Sequence, residues 1–259
     1  MDVRDFDPGM PCWVDVSSPR TDVTCAFYEG LFGWEAEPMG ATIESYTMFR
    51  LGGRSVAGCK PLADDDPGSA WTTYLSVTEV DAAVAAILSH GGRVHSPVVD
   101  VLDAGRMASV ADPSGGKFAL WEPGTLGGAE LVNAPGSLCW NELTTRGADN
   151  LIAFYSAVFG WRVEYLEVAG APFTYREIHV GDRRIAGCLE MDETWPEDLP
   201  THWMAYFAVE DADTTAQRAT AWGGSVSVEP FDLPVGRAAV IEDPTGAAFS
   251  VIALWGDAS

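Results

Sequence analysis

The chain has 259 residues, and its 38 acidic against 15 basic side chains give a formal net charge of −23. A surface with this much negative charge repels phosphate backbones and anionic lipids, so nucleic acids and membranes are poor candidates as partners. No apolar run reaches the roughly 20 residues that span a bilayer, and the acidic start lacks the features of a secretory signal, so we expect a cytoplasmic protein.

The first quarter of the chain has the pattern of a strand, a helix and three further strands, the last of which opens a second unit of the same kind. The helix has apolar residues at helical spacing, with Asp22 as its expected N-cap and Gly33 as its end. The predicted strands are residues 11–17, 46–51, 55–60 and 71–77.

The second unit continues from the strand at 71–77 with a helix that stops at Gly91-Gly92. A hairpin turn at Asp112-Pro113-Ser114-Gly115 separates its last two strands. The stretch 123–136 is rich in Gly, Pro and Ala, as is typical of a loop. The predicted elements of this unit are a helix over 80–88 and strands over 93–98, 106–111 and 117–121.

The rest of the chain repeats this pattern. Cys12-Trp13, Ala26-Phe27-Tyr28 and Phe32-Gly33-Trp34 return 127 residues later, and residues 12–34 share nine identities in 23 positions with their repeat. We therefore predict two domains, residues 8–124 and 136–256, joined by a linker at 125–135.

The chain resembles the vicinal oxygen chelate superfamily in three features. These are the order of its elements, the Ala-Phe-Tyr and Phe-Gly-Trp motifs that close the first helix, and Asp-Pro-x-Gly before the last strand. This superfamily includes glyoxalase I, extradiol dioxygenases, fosfomycin resistance enzymes and bleomycin resistance proteins. The resemblance implies an α+β fold in which four βαβββ units form curved mixed sheets around cavities. More narrowly, the chain is similar to tandem members encoded in actinomycete antibiotic clusters and to a mycobacterial antigen of similar size.

Alternation along each strand predicts which side chains face such a cavity. On the first strand, Val14 and Val16 should pack on the helix, while Trp13 and Asp15 face inward. Inward aromatic rings suit a flat ligand, because stacking adds roughly 0.5–1.5 kcal/mol per well-formed pair. The expected ligand-binding residues are Trp13, Tyr46, Met48, Arg50, Tyr74 and Trp121 in the first half and Trp140, Tyr175, Glu177, His179, Met204 and Tyr206 in the second.

Metal-dependent members of the superfamily carry His and carboxylate ligands on the strands around the cavity. None of the matching residues here is a His or a carboxylate, so we predict no metal and no cofactor. A relocated metal site around His202 and Glu190, with Glu142 and His179 nearby, stays open as an alternative. The matching positions are Trp13, approximately Gly58, Thr72 and Ala119 in the first half, and Trp140, approximately Gly187, Met204 and Ser250 in the second.

Asp15 and Glu142 occupy the same place in the two repeats, beside an inward tryptophan. Each could support the wall by hydrogen bonding, anchor a ligand amine or hydroxyl, or act as a catalytic acid or base if burial raises its pKa. Arg106 and Arg237 could pair with these carboxylates or bind an acidic ligand, and structural pairing is the expected role.

Our leading hypothesis is a metal-independent protein that binds a small aromatic or polyketide-like metabolite, for antibiotic sequestration or as an accessory to a tailoring pathway. The first alternative is a cofactor-free tailoring enzyme of the hydroxylase, lyase or cyclase type that uses Asp15 or Glu142 as acid or base. The second is a metal-dependent lyase or dioxygenase with a relocated site. We expect a monomer or a homodimer.

Overall fold

The computed structural model describes residues 6–40, 45–64, 66–167 and 174–256, and within these ranges each half of the chain forms one eight-stranded sheet with two helices. None of the helices in these ranges is long and apolar enough to cross a membrane. The elements of the first half are β1 Pro11–Ser18, α1 Thr21–Phe32, β2 Glu35–Pro38, β3 Thr47–Leu51, β4 Arg54–Pro61, β5 Ala70–Ser76, α2 Val80–Ser89, β6 Arg93–Val101, β7 Gly105–Ala111 and β8 Lys117–Pro123. Those of the second half are β9 Leu138–Thr145, α3 Ala148–Phe159, β10 Arg162–Glu167, β11 Thr174–Val180, β12 Arg183–Glu190, β13 His202–Ala208, α4 Ala212–Ala221, β14 Ser225–Leu233, β15 Gly236–Glu242 and β16 Ala248–Leu254.

The two sheets share one topology. The first has the strand order β2-β3-β4-β1-β5-β8-β7-β6, and the second has the order β10-β11-β12-β9-β13-β16-β15-β14. In each, the first strands of the two units pair antiparallel at the centre, and each of them pairs in parallel with the last strand of its own unit. This confirms the predicted α+β class with four βαβββ units.

The central strand β1 is buried along its whole length, and its alternation sorts side chains to two faces. Val14 and Val16 pack with Phe27 of α1, as predicted, whereas Trp13 joins a separate cluster on the other face. Gly33 ends α1 with φ of 72°, a left-handed conformation that favours glycine.

The predicted cap at Asp22 is wrong. Arg20 occupies the N-cap position and makes no side-chain capping hydrogen bond. Asp22 lies inside the first turn, where its negative charge interacts favourably with the helix dipole. The backbone N–H of Arg20 instead donates to Ser18 Oγ at 3.0 Å.

The strand prediction also missed the outermost strand of each first unit, β2 and β10. Their side chains are mostly exposed, and in Glu35–Pro38 polar and apolar residues alternate over only four positions. A strand that is so short and so exposed carries too few apolar residues to be recognised from its pattern.

The helix-facing cores are shared between the halves. In one core, β1 and α1 residues such as Val16 and Phe27 pack with Phe207, Ala219 and Phe249 from the second unit of the other half. The other core combines the second unit of the first half with the first unit of the second half in the same way. Each helix layer is therefore completed by the opposite half of the chain.

The motifs that identified the repeat lie at this junction. Tyr155 donates to Asp112 Oδ2 at 2.9 Å and accepts a hydrogen bond from Trp203 Nε1 at 3.0 Å. The repeat-related Tyr28 lies 3.4 Å from Asp243 Oδ2 and accepts from Trp71 Nε1 at 2.9 Å. The tyrosine of Ala-Phe-Tyr in one half thus binds the aspartate of Asp-Pro-x-Gly in the other.

Candidate ligand-binding faces

Each sheet has an inner face, defined here as the face opposite its helices. On the first inner face, the side chains of Trp13, Met48, Tyr74 and Trp121 form one buried cluster with Ala129. All four are at most 7% exposed. The first inner face is therefore a packed surface with little contact with solvent.

The segment predicted as a linker covers this face. Its Ala129 N–H donates to Cys12 O at 2.8 Å, and the Glu130 N–H donates to Ser55 O at 2.8 Å. Trp121 Nε1 donates to Leu126 O at 2.8 Å, which fixes the indole against the same segment. Leu126 and Val132, together with Phe6, pack against the cluster. The segment is thus part of the wall as well as a connection between domains.

Asp15 on the first inner face has a cation beside it. Lys60 Nζ lies 2.9 Å from Asp15 Oδ1, and Tyr74 donates to Asp15 Oδ2 at 2.6 Å. Burial is the largest influence on the Lys60 pKa and lowers it, but the Asp15 carboxylate outweighs burial, and the net pKa is raised. Nearby, Trp13 Nε1 donates to Tyr46 Oη at 3.0 Å. Asp15 is therefore held in a closed ion pair.

The second inner face is more accessible. Its aromatic and sulfur-containing side chains, Trp140, Tyr175, Met204 and Tyr206, are all half-buried. Cys139 is also half-buried, whereas its repeat partner Cys12 is fully buried. The two inner faces therefore carry similar side chains, but the first face is covered and the second is accessible.

Glu142 lies at the centre of the second inner face, and only tyrosines bind it among the described residues. Tyr175 donates to Glu142 Oε2 at 2.8 Å, and Tyr206 donates to Glu142 Oε1 at 3.0 Å. Burial raises the pKa of Glu142, and these two hydrogen bonds offset only part of that rise. Trp140 Nε1 completes the group by donating to Tyr175 Oη at 2.9 Å.

The backbone at Gly187 allows this arrangement. A Cβ at that position would lie 1.8 Å from Tyr175 Oη and 3.0 Å from Trp140 Nε1. Gly58 plays the same part in the first half, where a Cβ would lie 1.9 Å from Tyr46 Oη. A glycine at this register position makes room for the tyrosine hydroxyl beside the carboxylate strand.

Glu177 and His179 lie on β11, towards the rim of the second inner face, and bind each other. His179 Nε2 lies 2.9 Å from Glu177 Oε1 and 3.7 Å from Glu164 Oε2. These three side chains each place one ligand atom within 4.8 Å of the others, so they could hold a metal ion. Arg184 and Arg162 also pair with Glu177 and Glu164, and these arginines compete with any metal for the carboxylates.

Arg50 occupies the His179 position of the first repeat. It pairs with Glu37, lies 3.7 Å from Glu130 Oε2 and donates to Ser55 Oγ at 3.0 Å. Arg50 therefore ties β3 to the covering segment.

The structure does not bring the relocated metal site together. Glu190 accepts hydrogen bonds from Gly147 N and Ala148 N at the start of α3, at 2.7 and 2.8 Å. His202 Nδ1 lies 2.9 Å from Pro200 O, and burial lowers the pKa of this imidazole. Within the described ranges, neither residue groups with Glu142 or His179 as a metal-binding set.

Arg106 and Arg237 do not pair with Asp15 or Glu142. Arg106 contacts Asp81, Asp100 and Glu122, and Arg237 contacts Asp213 and Asp232. Each arginine is the second residue of the third strand of its unit, and it neutralises surface carboxylates on neighbouring elements. Both therefore have a structural role, but the predicted pairing with Asp15 or Glu142 is wrong.

The metal of the superfamily does not fit the second inner face. Strand register places Gly187, Glu142 and Met204 in one row and Trp140, Tyr206 and Ser250 in the next. Among these six, only Glu142 has a carboxylate or imidazole, and both of its oxygens accept a tyrosine hydroxyl. A divalent ion of the kinds this superfamily uses needs more oxygen or nitrogen ligands than this row offers.

Sequence reasoning missed three contributors to these faces: Lys60, Ala129 and Glu164. A comparison of the repeats would have found the first, since Lys60 aligns with Leu189 and so marks a charge present in one half only. Ala129 has no such signal, because a short apolar residue in a Gly- and Pro-rich stretch is typical of any loop. Glu164 lies on the missed edge strand β10.

Comparisons with known proteins agree with this geometry. Residues 13–120 and 138–251 match the model of a family described as the Glyoxalase/Bleomycin resistance protein/Dioxygenase superfamily. CFP32 of Mycobacterium bovis, a protein provisionally named a glyoxylase, is 41% identical over 254 residues, which cover 96% of both chains. The anthracycline biosynthesis protein DnrV of Streptomyces peucetius is 38% identical over 264 residues, covering 96% of this chain and 94% of DnrV.

Among solved structures, a Mn(II)-bound glyoxalase from Novosphingobium aromaticivorans superposes with a TM-score of 0.66 at 17% identity, covering 95% of this chain and 82% of that one. That likeness concerns the fold alone. The family match covers both repeats and agrees with the four βαβββ units and the paired sheets. The chain therefore belongs to the glyoxalase/bleomycin resistance protein/dioxygenase superfamily.

Proposed function

We propose that the protein binds a small, planar aromatic or polyketide-like metabolite on its second inner face, without a metal. The observation that carries this proposal is the accessibility of Trp140 and Tyr206, which are half-buried, whereas their counterparts Trp13 and Tyr74 in the first repeat are buried. Tyr175 and Met204 are half-buried beside them. Exposed aromatic surface grouped on one face is a common feature of ligand sites, because ring faces stack on planar ligands.

The polar groups of this face support binding in a defined orientation. Glu142, Tyr175 and Tyr206 form one hydrogen-bonded group between the aromatic side chains. Small-molecule sites combine apolar walls with a few placed polar groups in this manner. The proposed roles are stacking for Trp140, Tyr175 and Tyr206, and polar anchoring for Glu142.

The names of the relatives support an aromatic ligand. DnrV and DauV are named as anthracycline biosynthesis proteins, and both match over 96% of this chain. We propose that this protein either sequesters such a metabolite or presents it to a tailoring enzyme.

Titration with 1,8-dihydroxyanthraquinone, followed by tryptophan fluorescence, tests the proposal. We expect saturable quenching of the fluorescence at micromolar ligand concentrations. Trp140→Phe should strongly reduce this quenching, because the indole ring of Trp140 forms part of the second inner face. Trp13→Phe is the matched control, and it should leave the titration unchanged because Trp13 is covered. Unchanged fluorescence in the wild-type protein would contradict the proposal, and equal effects of the two variants would contradict the location.

A second candidate function is proton transfer by Glu142 in a cofactor-free enzyme. Burial raises the pKa of Glu142, and a carboxylate with a raised pKa is better matched to proton transfer near neutral pH. Asp15 is less suited to this role, because Lys60 and Tyr74 occupy its oxygens.

Deuterium exchange at C10 of anthrone, followed by proton NMR, tests this second function. The carboxylate of Glu142 would take a C10 proton and return a deuteron from solvent, so no oxidant is needed. We expect accelerated exchange that Glu142→Gln abolishes even at saturating anthrone concentrations. Exchange that Glu142→Gln leaves unchanged would remove Glu142 as the base.

A further inference from the structure

The two repeats differ in charge at one position beside the central carboxylate. Lys60 on β4 pairs with Asp15 in the first half, and the aligned residue on β12 is Leu189. Leu189 follows Gly187 by two residues on the same strand, so it faces the same side as the glycine that contacts Tyr175. The second half has therefore lost the cation while it keeps a carboxylate.

Glu142 consequently lacks a cationic partner among the described residues. It is 8% exposed, and within the described part of the chain it accepts hydrogen bonds from the two tyrosine hydroxyls. A buried carboxylate is costly without a counter-ion, and tyrosine hydroxyls satisfy its lone pairs without neutralising its charge. At the rim, by contrast, Glu177 and Glu164 each have an arginine beside them. The unbalanced charge is thus located at the centre of the accessible face.

Ser250 adds a second polar group to the same face. It lies on β16, is 1% exposed and in register with Tyr206, and its Oγ forms no well-directed hydrogen bond with the described residues beyond a contact with the Tyr206 hydroxyl. It lies close enough to Tyr206 to lower the pKa of that phenol, although burial and Glu142 raise the pKa by more. The aligned position in the first half is Ala119, which needs no partner.

We propose that the second inner face selects planar aromatic ligands that carry a protonated amine, with Glu142 as the counter-ion of that amine. The ammonium group takes the place that Lys60 Nζ occupies beside Asp15 in the first repeat, and the aromatic part stacks on Trp140 and Tyr206. This inference rests on the proposed binding function and adds the charge class of the ligand. The overall net charge of −23 assists the approach of a cation.

Three anthraquinones of one shape test the inference by isothermal titration calorimetry: 2-(aminomethyl)anthraquinone, 2-(hydroxymethyl)anthraquinone and anthraquinone-2-carboxylate. We expect the ammonium compound to bind at least about tenfold more tightly than the alcohol, which corresponds to about 1.4 kcal/mol. The carboxylate should bind most weakly. Equal affinities for all three would overturn the inference and leave the binding function standing, whereas no binding of any compound would contradict the binding function itself.

Two substitutions assign the preference to this carboxylate. Glu142→Gln should reduce the preference for the ammonium compound over the alcohol to nearly one. Leu189→Lys should do the same by restoring the arrangement of the first repeat, and it keeps the inference testable if the Glu142 variant fails to fold. Leu189→Met is the matched control of similar size without charge, and it should keep the preference. A preference that survives both charge-changing substitutions would place the counter-ion elsewhere and overturn the inference.

Discussion

Tyr155 holds the two halves together through buried polar contacts, and its replacement by Phe should destabilise the whole protein. The Tyr155 hydroxyl donates to Asp112 Oδ2 and accepts from Trp203 Nε1, at 2.9 and 3.0 Å. Phe keeps the ring, which stacks on Trp161 at 4.7 Å between centroids. The loss is therefore confined to one hydroxyl and the two groups that it satisfies.

The magnitude follows from the number of buried groups left without a partner. Each costs about 1–3 kcal/mol, which gives about 2–6 kcal/mol for the two groups. Asp112 retains backbone donors at Ser114 and Gly116, so Tyr155→Phe should lower the free energy of unfolding by about 2–4 kcal/mol. Tyr28→Phe is the matched comparison, because Tyr28 lies at 3.4 Å from its aspartate. We expect Tyr28→Phe to cost about 1–3 kcal/mol, mainly through the loss of the acceptor for Trp71 Nε1.

Urea unfolding measures both variants, with tryptophan fluorescence and far-ultraviolet circular dichroism as independent probes. The two probes should show one shared transition, because each core contains residues from both halves. A Tyr155→Phe cost below about 1 kcal/mol at an unchanged m-value, or one smaller than that of Tyr28→Phe, would refute the reasoning.

Three further predictions concern the inner faces. Gly187→Ala should weaken binding of 1,8-dihydroxyanthraquinone by at least about tenfold, because a Cβ would lie 1.8 Å from Tyr175 Oη and displace that ring from Glu142; wild-type affinity in calorimetry would contradict this. Lys60→Leu should lower the free energy of unfolding in urea by about 2–4 kcal/mol, which is less than for fully buried ion pairs because the Lys60 side chain is 30% exposed. Adding Asp15→Asn should recover part of this loss. An unchanged stability of the Lys60→Leu variant would disprove the contribution of the ion pair. Burial raises the pKa of Glu142 in the folded state, so the protonated side chain contributes its full stabilisation below the pKa of the unfolded state. That stabilisation is lost as pH rises through the folded-state pKa. Glu142→Gln should therefore gain stability relative to wild type as pH rises above the pKa of the unfolded carboxyl, by about 1.4 kcal/mol for each unit by which burial raises the folded-state pKa. A difference in stability that stays constant with pH in thermal unfolding would contradict the burial of a carboxylate.

The elements with a clear period of apolar residues could be predicted from the sequence. On β1, the period of two separates Val14 and Val16 from Trp13 and Asp15, and the structure places the valines against α1 and Trp13 in the inner cluster. The repeat supplied the rest of the architecture, since one prediction served both halves. Strands β2 and β10 escaped prediction because exposed edge strands carry little periodic pattern.

The contrast between the two inner faces could not be predicted from periodicity. Trp13 and Trp140 lie at equivalent positions on equivalent strands, yet Trp13 is buried in a cluster that includes Ala129 of the covering segment, whereas Trp140 is half-buried. Likewise, alternation predicts that Asp15 points inward but gives no partner for it, because Lys60 is 45 residues away in the chain. Such contacts depend on how distant segments meet, which local pattern does not encode.

The exchange of units between the two helix-facing cores has a consequence for how the duplicated halves diverge. Phe27 packs with residues of the second half such as Phe249, so a substitution at the junction changes the packing of both repeats. Among the described residues, the cluster around Trp13 on the first inner face comes from the first half and its covering segment alone, so substitutions there need not disturb the second inner face. Duplication of this kind lets one inner face become filled, with its carboxylate paired to a lysine, while the other keeps accessible aromatic side chains around Glu142.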